Sequence, residues 1–338
     1  MGLWAGSHQL LPAVAHSYPW GVTAHGTAFA AGGFGGSKSS SKKSAKNKKK
    51  KTKASAPTSS KVLSTQEKRM NHIRSRVEAA DFNPMAQLTL LQRPSGELAL
   101  DINPNAVCVI DNFLGAEMIR RMRAEAESIL PKMVPSQSTR WDEETQSVVP
   151  YEKVGVLSTQ IEGASTYADT PCLVEYIVTL TATLTPKLNA ILPPTHQLRT
   201  DQQTNKLAVC LGNGSRYDKH IDNMGGDDTR KLTALLYLQP PNSHEAKFPE
   251  SEEIDERGGY FRAFDFPDKG DVTNIAPRGD RLILFWSDSL VHDVTESFCP
   301  NGDADRRWAL TTWLPINPET GVIRMTDSET EQVHFGTG

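Results

Sequence analysis

The sequence predicts an α+β fold in which N-terminal helices support a core of short antiparallel strands, a jelly roll or double-stranded β-helix. Apolar residues at helical spacing dominate the folded chain up to about residue 190, whereas short apolar runs separated by Gly, Asp, Asn and Pro follow residue 205. Helices first and many short strands afterwards are typical of α+β proteins with such a core. No linker-like stretch interrupts residues 105–317, so we expect one domain there.

Three helices are predicted ahead of the strands. The first begins at Ser64, which forms a capping-box pattern with Glu67. The second carries apolar residues at helical spacing between positions 119 and 129. The third covers residues 171–188, with Pro171 in its first turn.

The strands are predicted from apolar runs bounded by turn residues. One lies early, at "AVCVIDNFL" (106–114), and ends in an Asp-Asn turn. The others are "KLAVCL", "KLTALLYL", "GGYFRAF", "RLILFW" and "RWALTTWL". The acidic stretch 240–257 interrupts them and is expected to be a long surface loop.

The chain therefore divides into four predicted segments. Residues 1–60 form a basic tail without a fold of its own, and residues 61–104 form a helix and linker. Residues 105–317 form the main domain, and residues 318–338 a C-terminal tail.

Charge is distributed unevenly between the tail and the rest of the chain. Residues 1–60 contain nine lysines and no acid, so the other 278 residues hold 28 Lys and Arg against 40 Asp and Glu, a balance of −12. An acidic domain is a poor electrostatic match for nucleic acid. Binding to nucleic acid is therefore expected only through the basic tail.

The tail has three interpretations. Its Gly/Ser/Lys-rich composition is typical of a solvated disordered segment. The run "KNKKKK" also fits a nuclear signal or an anion-binding arm, and the acid-free start fits a transit peptide for plastid import. The compartment stays open among cytoplasm, nucleus and plastid.

Neither a membrane-spanning helix nor a disulfide framework is expected. No run approaches the ~18 apolar residues of a membrane-spanning helix. The four cysteines are scattered without a CxxC pair, so reduced thiols are the default. A monomer is the default expectation.

The stretch "SRYDKHIDNMGG" (215–226) holds the first candidate ligands. His220 and Asp222 are two residues apart, and residues i and i+2 of a strand point to the same face. His292 lies just past the most apolar strand and offers a third ligand. Two histidines and one carboxylate form the facial set that binds non-haem Fe(II). The pair alone is also common in packed or surface positions.

The strand "DRRWALTTW" (305–313) adds a buried cation. Alternation puts Arg307, Ala309, Thr311 and Trp313 on one face. An arginine in a largely apolar strand is costly unless it meets an anion, and its guanidinium fork matches a carboxylate. A dicarboxylate co-substrate would supply that anion.

These motifs together resemble the iron- and 2-oxoglutarate-dependent prolyl 4-hydroxylases. The ordered string is "GNGSRYDKHIDN", "RKLTALLYL", "GGYFRAF", "DRLILFWSDSLVHDV" and "RWALTTW". It is most similar to the branch that modifies hypoxia-inducible factor, as are the upstream "AVCVIDNFLGAE" and "IEG". The resemblance covers roughly residues 105–317.

The resemblance implies a role for each matching residue. The implied Fe(II) ligands are His220, Asp222 and His292. The implied 2-oxoglutarate ligands are Arg307, by a salt bridge to the distal carboxylate, with Tyr237 and Thr311 supporting it through their hydroxyls. Tyr217 completes the YxxHxD pattern and would line the catalytic site, while Arg230 and Trp313 match positions near the prolyl substrate.

The implied reaction is hydroxylation of a prolyl residue at C4 in a protein or peptide substrate. It would consume 2-oxoglutarate and O₂ and release succinate and CO₂, and ascorbate would keep the iron ferrous. Two alternatives stay open: a related oxygenase with another substrate, such as a lysyl side chain, a nucleobase or a small molecule, and a non-catalytic jelly roll that binds a proline-containing peptide.

The chain departs from that pattern at four places. Cys210 stands where the hypoxia-factor branch has a tyrosine beside 2-oxoglutarate. Insertions lengthen residues 240–257 and 299–305. Residues 140–155 correspond to the substrate-covering loop but share little sequence with it. None of these removes an implied iron ligand.

Overall fold

The computed structural model describes residues 63–92, 95–142, 144–145, 147–240, 253–265 and 271–324, without the side chains of residues 139–143 and 146–148. The chain divides into two units, Met1–Ser60 and Lys61–Gly338. The basic tail, most of the acidic insertion and the end of the C-terminal tail lie outside the described residues. The four predicted segment boundaries therefore stay predictions.

The three predicted helices are confirmed and a short fourth accompanies them. They are α1 Thr65–Ala79, α2 Ala116–Ser128, α3 Gly163–Thr166 and α4 Pro171–Asn189. The capping box at the start of α1 is complete: the backbone N–H of Glu67 donates to Ser64 Oγ at 3.1 Å, and that of Ser64 donates to Glu67 Oε2 at 2.7 Å. In the described chain no helix is both long and apolar enough to cross a bilayer.

The strands are β1 Leu88–Gln92, β2 Leu98–Ile102, β3 Val107–Ile110, β4 Val134–Asp142, β5 Ser147–Thr159, β6 Thr204–Cys210, β7 Ser215–His220, β8 Arg230–Tyr237, β9 Phe261–Phe264, β10 Val272–Ile275, β11 Leu282–Trp286, β12 Val291–Ser297 and β13 Arg307–Pro315. Each predicted strand is present, as β3, β6, β8, β9, β11 and β13.

These strands form a seven-stranded major sheet, a four-stranded minor sheet and a separate hairpin. The major sheet has the order β3-β11-β8-β13-β6-β5-β4, the minor sheet β10-β9-β12-β7, and the hairpin joins β1 to β2. All of these pairings are antiparallel. The predicted antiparallel jelly-roll core is therefore confirmed.

The hairpin β4–β5 was not predicted as a strand pair. Residues 140–155 were expected to be a loop, yet most of them extend the edge of the major sheet, because Val156 of β5 pairs with Cys210 of β6. Few of the described residues of this hairpin are both apolar and buried. The sequence therefore lacks the alternation of apolar and polar residues that would predict these strands. Tertiary pairing with β6 overrides that weak local signal.

The two faces of the major sheet have separate neighbours. On β8, Leu232 and Leu236 pack into the cluster that includes α1, α2 and α4. Leu235 and Tyr237 instead join Phe261 of the minor sheet. Alternation along each strand thus gives a helix-facing layer and a layer between the two sheets, and the candidate site lies in the second.

Candidate metal centre

Two neighbouring strands of the minor sheet bring the three predicted metal ligands together. His220 ends β7 and lies opposite His292 of β12 in the antiparallel register. Asp222 lies two residues beyond the end of β7. Its Oδ1 is 3.6 Å from Nε2 of His220 and 3.9 Å from Nε2 of His292. One ligand atom from each residue lies within 4.8 Å of the others, which is close enough to hold one metal ion.

Backbone carbonyls determine which imidazole nitrogen faces the centre. Nδ1 of His220 lies 2.7 Å from the carbonyl oxygen of Asp218, and Nδ1 of His292 lies 3.1 Å from that of Leu290. A carbonyl only accepts, so each Nδ1 carries the proton and donates. Each Nε2 is left with its lone pair available for a metal, the usual arrangement of a metal-binding histidine.

Asp222 is oriented by two donors on one oxygen. Thr233 Oγ1 donates to Asp222 Oδ2 at 2.7 Å, and Trp313 Nε1 donates to the same atom at 2.9 Å. Its Oδ1 is therefore the oxygen that faces the histidines. Trp313 thus positions the carboxylate, while its predicted contact with substrate stays a prediction.

The protonation states suit a divalent cation. Burial opposes the ionisation of Asp222, but its contacts with His220, His292 and Arg230 together hold its pKa well below the ordinary value. Burial lowers the pKa of His292 to about 3, and the charge of His220 is the second largest cause. At neutral pH, Asp222 is an anion and His292 is neutral, as metal coordination requires.

Arg307 lies in the same cavity without an acidic partner. It is 4% exposed. Its Nη2 donates to the Tyr237 hydroxyl at 3.0 Å, its Nη1 lies 3.9 Å from Cys210 Sγ, and its Nε has no partner among the described residues. A buried guanidinium that meets only neutral groups has capacity for an external carboxylate. Cys210, whose sulfur is a weak acceptor, stands at the position where the resembled branch has a tyrosine.

A glycine on the loop before β9 makes room for Arg307. Gly259 has a φ of +71°, and a Cβ there would lie 2.9 Å from Arg307 Cδ. A side chain at this position would strain the backbone and displace the arginine.

The cavity has a volume of about 70 Å³. Polar and charged residues line one part and apolar residues the rest. The lining residues are Lys153, Lys206, Ala208, Tyr217, His220, Asp222, Thr233, Leu235, Phe261, Phe285, His292, Val294, Arg307, Ala309, Thr311 and Trp313.

The other predicted site residues surround this cavity at different distances from it. Tyr217 and Thr311 line it, and the Tyr217 ring centroid is 6.5 Å from that of His220. Tyr237 lies behind Arg307. Arg230 is not in the lining: its Nε donates to Asp228 Oδ2 at 2.8 Å, and its guanidinium lies 5.1 Å from the Trp313 ring centroid.

Three polar lining residues were missed by sequence reasoning. Lys206 lies four residues before Cys210 on β6, so strand alternation places both side chains on the same face. This spacing could have identified Lys206 as a lining residue. Thr233 lies on the cavity side of β8 in an apolar part of that strand, where its hydroxyl was the available signal. Lys153 had no signal, because its strand was not predicted.

The two insertions are described to different extents. Residues 299–305 form an ordered turn ending in a short 3₁₀ helix, Gly302–Asp305, directly before β13. Residues 241–252 of the acidic insertion lie outside the described residues, so its expected loop stays a prediction.

Comparison with known proteins agrees with the site. Residues 206–315 match the model of the 2OG-Fe(II) oxygenase superfamily. "Egl nine homolog 1" of Rattus norvegicus is 27% identical over 230 residues, which cover 65% of this chain and 60% of that protein. "Prolyl hydroxylase EGLN3" of Mus musculus is 33% identical over 115 residues, 33% of this chain and 40% of that one.

One solved structure is also similar, at lower identity. It is a "prolyl hydroxylase in complex with hypoxia inducible factor oxygen degradation domain peptide fragment from Trichoplax adhaerens", with 21% identity, a TM-score of 0.48 and coverage of 74% of this chain and 90% of that one. The chain spans about 60% or less of the length of the two curated relatives above. Over residues 206–315 the chain thus matches the 2OG-Fe(II) oxygenase superfamily model, and it is similar in sequence to prolyl hydroxylases.

Proposed function

We propose that this chain is a Fe(II)- and 2-oxoglutarate-dependent dioxygenase that hydroxylates a prolyl residue at C4 in a protein substrate. The observation that carries the proposal is the presence, in one cavity, of a two-histidine-one-carboxylate cluster and a buried arginine without an acidic partner. The first suits ferrous iron and the second a dicarboxylate. The superfamily uses Fe(II), 2-oxoglutarate and O₂, and ascorbate is the usual addition for prolyl hydroxylases.

The residues fit these groups. His220, Asp222 and His292 would hold the iron through Nε2, Oδ1 and Nε2. Arg307 would bind the distal carboxylate of 2-oxoglutarate through its free N–H groups, supported by the hydroxyl of Tyr237. When bound, iron and 2-oxoglutarate supply the oxidising chemistry that uses O₂ and releases succinate and CO₂.

The chain's own contribution is to orient the metal-binding side chains and to exclude water from the cavity. Thr233 and Trp313 hold Asp222 so that one oxygen faces the metal position. Phe261 and Phe285 pack on the His292 ring, with centroids 5.1 and 4.7 Å away. These rings form an apolar wall that limits water and fixes the imidazole.

Thr311 and Tyr217 complete the proposed site. Thr311 lies on the Arg307 face of β13 and lines the cavity, so its hydroxyl is available to 2-oxoglutarate. Tyr217 would line the prolyl pocket near His220, with Trp313 on another side and Arg230 behind Trp313. We propose a protein or peptide segment containing proline as the partner, acted on by a monomer.

The first test is binding of Fe(II) and 2-oxoglutarate under anaerobic conditions, followed by the visible charge-transfer band. We expect the band in the wild type, its loss in His220→Ala, and a weaker 2-oxoglutarate titration in Arg307→Ala. Arg216→Ala, which changes an exposed arginine, is the matched control and should leave the band intact. A folded wild type without a band would contradict the proposal and favour a non-catalytic peptide-binding module.

A further inference from the structure

Two lysines line the cavity beside the candidate metal centre. Lys206 lies opposite Thr311 in the pairing of β6 with β13, on the same face as Cys210. Lys153 lies on β5, before the residues of that strand that pair with β6, and its Nζ is 4.0 Å from the Tyr217 ring centroid. Both ammonium groups therefore belong to the wall formed by β5 and β6.

Neither lysine has a counter-charge. Within the part of the chain that the structure describes, neither forms an ion pair or a hydrogen bond through its ammonium group. The charged and titratable groups that face Lys153 are Lys206, Asp222, Cys210 and Asp218, and Lys206 has the largest effect among them. The nearest acid facing the cavity, Asp222, is already engaged by two donors and two histidines.

Burial makes this arrangement unfavourable for the empty protein. Burial lowers the pKa of Lys153 to about 7, and the charge of Lys206 is the second largest cause. Burial also lowers the pKa of Lys206. Both lysines are half-buried, so the charged form of each is unfavourable unless an anion reaches it.

The proposed cofactors do not provide that anion. Among the lining residues, Lys153, Lys206 and Arg307 are cations, and Asp222 is the single carboxylate. Fe(II) brings two positive charges and 2-oxoglutarate two negative charges, so loading both leaves the local excess of positive charge unchanged. Under the proposed function, Arg307 would hold the distal carboxylate, and the metal held by the two histidines and Asp222 would balance the other carboxylate. The charged forms of the two lysines are therefore still without an anion, which a substrate could supply.

Resting on the function proposed above, we propose that Lys153 and Lys206 form a subsite for a carboxylate of the protein substrate. The preferred substrate is then a segment in which the target proline lies near an Asp or Glu. The Tyr217 ring joins the two parts of the site, since Lys153 packs on it and its centroid is 6.5 Å from that of His220. The acid must therefore lie within a few residues of the proline.

The test measures peptide binding to the full chain loaded anaerobically with Fe(II) and 2-oxoglutarate. The probes are short Gly/Ser/Ala peptides with one central proline, in which a single Asp is moved through the flanking positions, and a matched set carries Asn instead. We expect at least one Asp position to bind about tenfold or more tightly than its Asn match. Lys153→Met and Lys206→Met should remove this preference while keeping the charge-transfer band.

The control variant is Lys132→Met, the same substitution at a lysine that is 69% exposed and pairs with Asp169; it should keep the Asp preference. The inference is overturned if no Asp position improves on its Asn match, or if the preference survives in both cavity variants. It is also overturned if those variants weaken 2-oxoglutarate binding instead, which would assign the lysines to the co-substrate. If the wild type forms no charge-transfer band, the result counts against the proposed function itself.

Discussion

The two faces of the major sheet are built from the same strands but follow opposite physical rules. Trp308, Leu310 and Leu314 of β13 face the helices and join a continuous apolar cluster. Arg307 and Thr311, their neighbours in sequence, face the cavity and include a buried charge without an acidic partner. Burial stabilises the first face, whereas on the second it opposes folding until a ligand arrives. Substitutions on the two faces should therefore change stability with opposite sign.

The largest effect is expected on the helix-facing layer. Leu310 is fully buried, so Leu310→Ala should lower the free energy of unfolding by about 3–5 kcal/mol through lost burial and a cavity. Urea denaturation of the metal-free protein measures it. Leu100→Ala, at a leucine that is 65% exposed, is the control and should change stability by less than about 0.5 kcal/mol. Equal losses would refute the difference between buried and exposed positions.

A gain of stability is expected on the cavity-facing layer. The pKa of Lys153 falls from 10.5 to about 7 on folding, so between these values the unfolded chain binds more protons. Stability of the wild type should rise with pH across that range, because the cost of the buried charge is fully present below pH 7 and fades above it. The fall of the pKa from 10.5 to about 7 sets an upper limit of about 5 kcal/mol on this cost. Because Lys153 is only partly buried, solvent screening reduces the cost, and Lys153→Met should stabilise the metal-free protein by about 2 kcal/mol at pH 6.

The same variant should have much less effect near pH 10, where Lys153 is neutral in the folded protein. Thermal denaturation of wild type and variant across this pH range tests both the size and the trend. A gain that does not depend on pH would trace the effect to packing rather than to charge.

A smaller effect separates two roles of a single tryptophan. Trp313→Phe keeps an aromatic ring but removes the donor to Asp222 Oδ2, so Fe(II) affinity should fall about tenfold. Trp308→Phe is the matched control, because the indole N–H of Trp308 has no partner among the described residues. Metal titration followed by the charge-transfer band measures both. Unchanged iron affinity in Trp313→Phe would limit Trp313 to substrate contact.

Whether a site residue could be predicted from the sequence depended on how regular the polar and apolar pattern of its strand is. Arg307 and Thr311 were placed on one face because β13 alternates clearly between apolar and polar positions. His220 lies on β7, a polar strand that exists through pairing with β12, yet the two-residue spacing to Asp222 was sufficient. Lys206 follows the same alternation as Cys210 and was overlooked.

Lys153 could not be found in this way. The strand β5 lacks apolar periodicity, and it reaches the cavity because Val156 pairs with Cys210 at the edge of the major sheet. The hydrogen bond from Trp313 to Asp222 is equally invisible in the sequence, since the two residues lie on separate elements. Both facts depend on long-range pairing that local patterns do not encode.

The sequence by itself determined the capped first helix, the alternating strands and the residue types able to hold iron and a dicarboxylate, because these depend on local periodicity and side-chain chemistry. The tertiary structure decided which atoms meet. Pairing of β7 with β12 set His220 against His292, and the edge strand β5 added Lys153 to a cavity that already held Lys206. A charge becomes costly or useful only when burial removes water and fixes its neighbours, and burial is a property of the assembled sheets.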